Sequence, residues 1–102
     1  MIKVFQSLAR DAAIQAAYLE WLESHPNGYV LNCIPRPPEQ NYPLLHNASC
    51  WTIGREAKVF AGASYKACSS NKRDLIKWAK EQSNEAKSAC VWCLRRTGLT
   101  LA

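Results

Sequence analysis

The sequence predicts a small α+β domain: two helices packed on a two- to three-stranded antiparallel sheet, stapled by one zinc ion. Three observations carry that expectation. Two stretches repeat apolar residues at the helical period, short β-rich runs lie between them, and Cys and His residues recur at metal-ligand spacing. A length of 102 residues suits one core, so residues 1–102 are read as a single domain.

The first helix is expected over Asp11–Ser24. Ile14, Tyr18, Trp21 and Leu22 form one apolar stripe, which Ala13 and Ala17 widen. Asp11, or Ser7 a turn earlier, can cap the free amides at its start, and Pro26 with Asn27-Gly28 ends it. Tyr29–Ile34 then reads as a strand, and Pro35–Pro43 is too proline-rich for anything but a loop. Tyr42–Leu45 reads as a second strand that delivers His46 at its end. Trp51–Ile53 either continues that strand or begins another element.

Val59–Ala67 reads as a third strand, carrying Gly62 and ending in Cys68. Ser69, Ser70 and Asn71 offer caps to a second helix, Lys72–Lys87, with Leu75, Ile76, Trp78, Ala79 and Gln82 on one face. Its other face carries Lys72, Arg73, Lys77 and Lys80. Cys90-Val91-Trp92-Cys93 is expected as a short turn, and Arg95-Arg96 precedes an apolar tail, Leu99–Ala102. No internal repeat is present.

A hydrophobic share of 48% with 21% charged residues is an ordinary globular mix and argues against disorder. No apolar run approaches the roughly 20 residues of a membrane helix, so no membrane partner is expected. Met1–Arg10 lacks the apolar region and cleavage site of a signal peptide, which suggests the cytoplasm. The charge is lopsided. Residues 1–50 carry 3 Lys/Arg against 4 Asp/Glu, a net of −1, whereas residues 51–102 carry 10 against 4, a net of +6. A half-chain this basic suits a polyanion, either DNA or RNA; the plainer alternative is a solvated surface.

The five cysteines are Cys33, Cys50, Cys68, Cys90 and Cys93. An odd number without an export signal speaks against a disulfide framework and leaves metal binding, redox chemistry or inert buried thiols. His46-x3-Cys50, Cys68 and Cys90-x2-Cys93 favour the metal. Cys-x2-Cys presents two thiolates from one small loop at angles that suit tetrahedral Zn²⁺, and His-x3-Cys can do the same. The first choice of ligands is Cys50, Cys68, Cys90 and Cys93, or that set with His46 replacing one thiol. Cys33, inside a strand, is the expected outsider. A redox role for Cys90-x2-Cys93 is disfavoured because the pair is expected to follow a helix and lead into a basic tail, whereas redox pairs open a helix.

Catalytic patterns are sparse. Glu56 and Glu85 are the nearest carboxylates to the ligands, and neither the metalloprotease nor the deaminase signature occurs. Leu45-His46-Asn47 at a strand end hints at a ββα-metal nuclease, but Asn71 and Asn84 are the only candidates for its second residue. Ser64 or Ser69 as a nucleophile would depend on His25 or His46, and His25 reads as a helix cap. Trp51, Trp92 and Tyr65-Lys66 lie beside basic residues and can stack on unpaired bases; the plainer alternative is that Trp21, Trp78 and also Trp51 fill the core. Trp92, between two ligands, is expected to point outward beside Arg95 and Arg96 and to stack on unpaired bases.

The stretch from Tyr18 through His25-Pro-Asn-Gly-Tyr-Val-Leu-Asn32, then Leu45-His-Asn-Ala-Ser-Cys50, Cys68 and Cys90-x2-Cys93, resembles a group of small bacterial modules. The resemblance covers residues 18–93. It implies His46, Cys50, Cys90 and Cys93 as the ligand set, with Cys68 as rival, and a place beside DNA-processing or defence proteins. From the basic half, the ligand spacing and the sparse catalytic patterns, the expected function is non-enzymatic: a zinc-stapled module that binds nucleic acid. Lys72, Arg73, Lys77 and Lys80 would touch phosphates, with Trp92, Arg95 and Arg96 at the knuckle. A protein-interaction module of a larger complex is the second expectation, and a metal nuclease dependent on His46 the third.

Overall fold

A computed structural model describes residues 1–6, 8, 10–33, 42–54 and 65–102. Ser7, Ile34, most of the proline-rich loop, Glu56 and the expected strand residues 59–64 lie outside them. The elements are β1 (Lys3–Phe5), α1 (Ala12–Ser24), β2 (Tyr29–Cys33), β3 (Leu44–Asn47), a 3-10 turn (Trp51–Ile53), β4 (Tyr65–Ser69), α2 (Lys72–Glu81), β5 (Ser88–Ala89) and α3 (Val91–Thr97). The strands form one sheet in the order β1-β4-β2-β3-β5, antiparallel except for the β3–β5 pair. The α+β class holds, with a larger, mixed sheet. β1 and β5 span three and two residues, too short for an alternating pattern to register.

Residues opposite one another in an antiparallel pair share a face. Phe5, Lys66, Asn32 and Leu44 therefore share one face with Val30, Cys68 and His46, while Val4, Ala67, Leu31 and Leu45 lie on the other. Val30, Leu31, Leu45, Ala67 and Cys68 are all fully buried, so both faces are covered. α1 covers the first: Tyr18 sets its ring edge-on to Phe5 at 5.5 Å and donates its hydroxyl to the Ile53 carbonyl at 2.8 Å. α2 packs on β4 and β2 through Leu75 and Ala79, covering the second.

The helix ends follow from local chemistry. Asp11 accepts hydrogen bonds from the Ala13 and Ile14 amides, and His25 closes α1, its Nδ1 2.9 Å from the Trp21 carbonyl oxygen. Gly28 is needed in the turn, since a Cβ there would meet the Trp21 ring at 2.8 Å. α2 stops at Glu81 rather than continuing to Lys87. Ser83 takes φ 57°, its amide donates to Lys80 O and the Asn84 amide to Ala79 O, which is a Schellman cap built on serine instead of glycine. The chain is then free to extend: the Lys87 amide donates to Pro43 O, and β5 forms on β3. Cys90 to Cys93 does not form a short turn. Cys90 caps α3, which runs on through both arginines and closes at Gly98 in the left-handed region, φ 74°.

Candidate metal centre

Parallel pairing of β3 and β5 builds the site. Leu45 stands opposite Ala89, and the Cys90 amide continues the ladder by donating to the Leu45 carbonyl at 2.8 Å. This register sets Cys90 beside His46. Cys93, three residues on in α3, lies on the same side of the helix as Cys90. After β3 the chain turns back, the Cys50 amide donating to the Asn47 carbonyl, so that Cys50 faces the strand it has just left.

The outcome is a convergence of ligand atoms. Those of His46, Cys50, Cys90 and Cys93 all lie within 4.8 Å of one another, and all four residues are buried. Cys50 and Cys90 place their sulfurs 4.0 Å apart. Tetrahedral zinc with Zn–S bonds near 2.3 Å requires ligand atoms about 3.8 Å apart, so four-coordination needs only small side-chain movements. These four residues could hold a metal ion.

The histidine is already in the liganding form. Burial, helped by the Lys66 charge, lowers its pKa to about 4, so it is neutral over the physiological range. Its Nε2 is buried without a hydrogen-bond partner, whereas its Nδ1 lies 3.4 Å from the Thr52 hydroxyl. The same hydroxyl is 2.9 Å from the Cys50 sulfur. A hydroxyl can accept from Nδ1–H while donating to a thiolate, which leaves the Nε2 lone pair for a metal. The Cys93 sulfur accepts from the Asn47 amide at 3.3 Å. The Asn47 side chain in turn donates to Thr97, and Thr97 to the Cys93 carbonyl, tying α3 to β3. Thr52, Asn47 and Thr97 carry no ligand spacing, and only the tertiary register reveals them.

Cys68 and Cys33 are not in this group. Both are buried in strands, where desolvation pushes both thiols up, Cys33 to about 11. The gathered set is thus the one the bacterial-module resemblance implies, with His46 in the place the spacing first gave Cys68. The position of Cys90 also differs from expectation. It follows a strand and opens a helix, so helix placement no longer separates it from a redox pair. Its company does: Cys90 and Cys93 share their site with His46 and Cys50, all four ligand atoms within 4.8 Å of one another, and burial pushes the Cys93 thiol up to about 12.

The basic residues divide into three kinds. Arg73, Lys77 and Lys80 are exposed along α2, as are Arg95 and Arg96 on α3. Lys72 is committed instead, donating to the carbonyls of Thr100 and Ala102. Lys66 is buried in the sheet, hydrogen-bonded to Asn32 at 2.8 Å. Trp92 points outward as expected, 44% exposed, with the Arg95 guanidinium 5.8 Å from its ring centre. Trp51 does not fill the core. It is 54% exposed and meets Trp92 edge-on at 5.9 Å. Trp21 and Trp78 pack against the core. Ser69 is buried, its hydroxyl accepting from the Asn71 amide, and Ser64 lies outside the described residues. No described helix is long and apolar enough to cross a membrane. No protein-family model, curated protein or solved structure matches the chain.

Proposed function

We propose that this chain is a zinc-stapled, non-enzymatic module that binds nucleic acid through its basic C-terminal half. The carrying observation is the convergence of His46, Cys50, Cys90 and Cys93 directly beneath an exposed face bearing Trp51, Trp92, Arg95 and Arg96. Three thiolates and one imidazole form a donor set that favours zinc. Four protein ligands would fill a tetrahedron and leave no place for a reactive water, and among the described residues no carboxylate joins the group. His46, 3% exposed, is poorly placed to activate water for a substrate, which argues against the nuclease reading. Three thiols kept reduced suit the cytoplasm.

Arg73, Lys77 and Lys80 would neutralise phosphates, with Arg95 and Arg96 at the knuckle. Lys72, held by the chain end, contributes less. Such contacts position a strand without reading its sequence, and affinity should fall steeply with salt. Anisotropy titrations of labelled DNA and RNA from low to physiological salt test this. Salt-dependent binding supports the reading, and no binding at low salt by the folded, zinc-loaded chain overturns it. One observation favours a second reading, a protein-interaction module within a larger bacterial DNA-processing or defence complex. Val91 and Leu94 are also exposed, at 51% and 47%, and extend the apolar character of the knuckle. That reading expects the same zinc without salt-dependent affinity for nucleic acid.

A further inference from the structure

We propose that Trp51 and Trp92 form a stacking platform for unpaired bases, so that the ligand of this face is a single-stranded nucleic acid rather than a duplex; this rests on the nucleic-acid reading above. The two rings meet edge-on at 5.9 Å and stand 54% and 44% exposed. An edge-on pair occupies an edge of one ring and one face of the other, and the exposure that remains leaves aromatic surface for bases to cover. Indole rings are costly to leave in water, and every base has a complementary flat face.

Both rings flank the ligand cluster in sequence. Trp51 directly follows Cys50, and Trp92 lies between Cys90 and Cys93, so fixing those three sulfurs on one ion fixes the two tryptophans relative to one another. The pair forms by tertiary structure alone, between residues 41 positions apart in sequence. A bound ion would turn two flexible rings into a pre-formed surface, which lowers the ordering cost of binding.

Charge selects the ligand. The segments 42–54 and 86–102, which carry the ligand cluster and both tryptophans, contain Lys87, Arg95 and Arg96 and no Asp or Glu. Arg95 stands over the Trp92 ring, and Arg96 lines a small depression with Asn47, Ser49, Trp51, Trp92 and Thr97. A strand stacked on the rings would therefore run its phosphates along the side of Arg95 and Arg96. Apolar protein surface gains nothing from that polarity, and duplex DNA offers no free base faces.

The test compares a short oligodeoxythymidylate and an oligouridylate with a duplex of equal length, using the zinc-loaded protein and following both anisotropy and tryptophan fluorescence. Single strands should bind more tightly and quench the fluorescence. Trp92→Ala or Trp51→Ala should weaken single-strand binding roughly 5- to 150-fold, the value of one stacked base, while Trp92→Phe retains most of it. Both tryptophans are exposed, so zinc content and circular dichroism should be unchanged in every variant. Equal binding of duplex and single strand, indifferent to the tryptophans, would overturn the platform and leave the nucleic-acid reading intact. Absence of all binding by folded, zinc-loaded protein would overturn that reading and the platform with it.

Discussion

Two groups of buried cysteines occupy opposite ends of one chemical question. Cys33 and Cys68 lie within β2 and β4, packed among apolar neighbours with Lys66 nearby. Cys50, Cys90 and Cys93 lie just beyond β3, before α3 and within it, gathered around His46. Burial does not separate them: all five are at most 4% exposed. What separates them is convergence. Strand thiols alternate across a sheet and are spaced by its pleat, whereas a strand end, a tight turn and a helix start can direct ligand atoms to one point. A cysteine's place at an element boundary is therefore better evidence of ligation than its accessibility.

The two groups of cysteines should differ most under ligand removal. Cys90→Ser should abolish stoichiometric zinc and cost on the order of 5 kcal/mol or more, a large part of a small domain's stability. Chemical denaturation with metal analysis of the same samples measures this. If Cys90→Ser kept both zinc and stability, the two groups would be alike.

The strand cysteines, Cys33 and Cys68, are set apart further by their buried lysine. Burial lowers the Lys66 pKa to about 8 from 10.5, with partial opposition from Cys33 and Cys68. The unfolded chain therefore binds more protons than the folded one between about pH 8 and 10.5, and this residue's contribution makes stability rise with pH across that window. Below pH 8 both states carry the charge and the contribution is flat. Relative to wild type, Lys66→Met should remove a rise on the order of 2–3 kcal/mol. Parallel denaturation curves across the window, with no difference in slope, would show that the ammonium is well solvated.

Smaller effects distinguish the supports of the metal group from the thiols of the sheet. Thr52→Val should lower zinc affinity by roughly 10- to 100-fold, with Thr52→Ser restoring it, because only the hydroxyl can hold Nδ1 and Cys50 together. Competition against a chromophoric chelator reads this directly. Cys33→Ala and Cys68→Ala should each cost about 1–2 kcal/mol of packing and leave zinc at full occupancy. Loss of zinc from Cys68→Ala would return that residue to the ligand set.

Much of this was legible in the sequence because it is local. The α1 stripe with its Asp11 cap, the Pro26–Gly28 stop, the Asn71 cap and the outward Trp92 each depend on residues a few positions apart. The choice among five candidate ligands was not local. It required the parallel β3–β5 register, and β5 is two residues formed only because α2 ends early on Ser83. Serine in the left-handed region gives no advance signal, since glycine normally occupies that place. The same concealed strand turned the expected knuckle turn into the start of α3. Of the two places the sequence leaves open for Trp51, core or stacking surface, its 54% exposure selects the surface, and no apolar period signals that choice.

The most direct test is the native mass of the purified protein with zinc quantified on the same sample, before and after chelation. One zinc per chain is expected, lost together with the fold when the chelator removes it. A metal-free chain that remains folded would contradict that, and His46, Cys50, Cys90 and Cys93 would then be a buried cluster with no ion to hold.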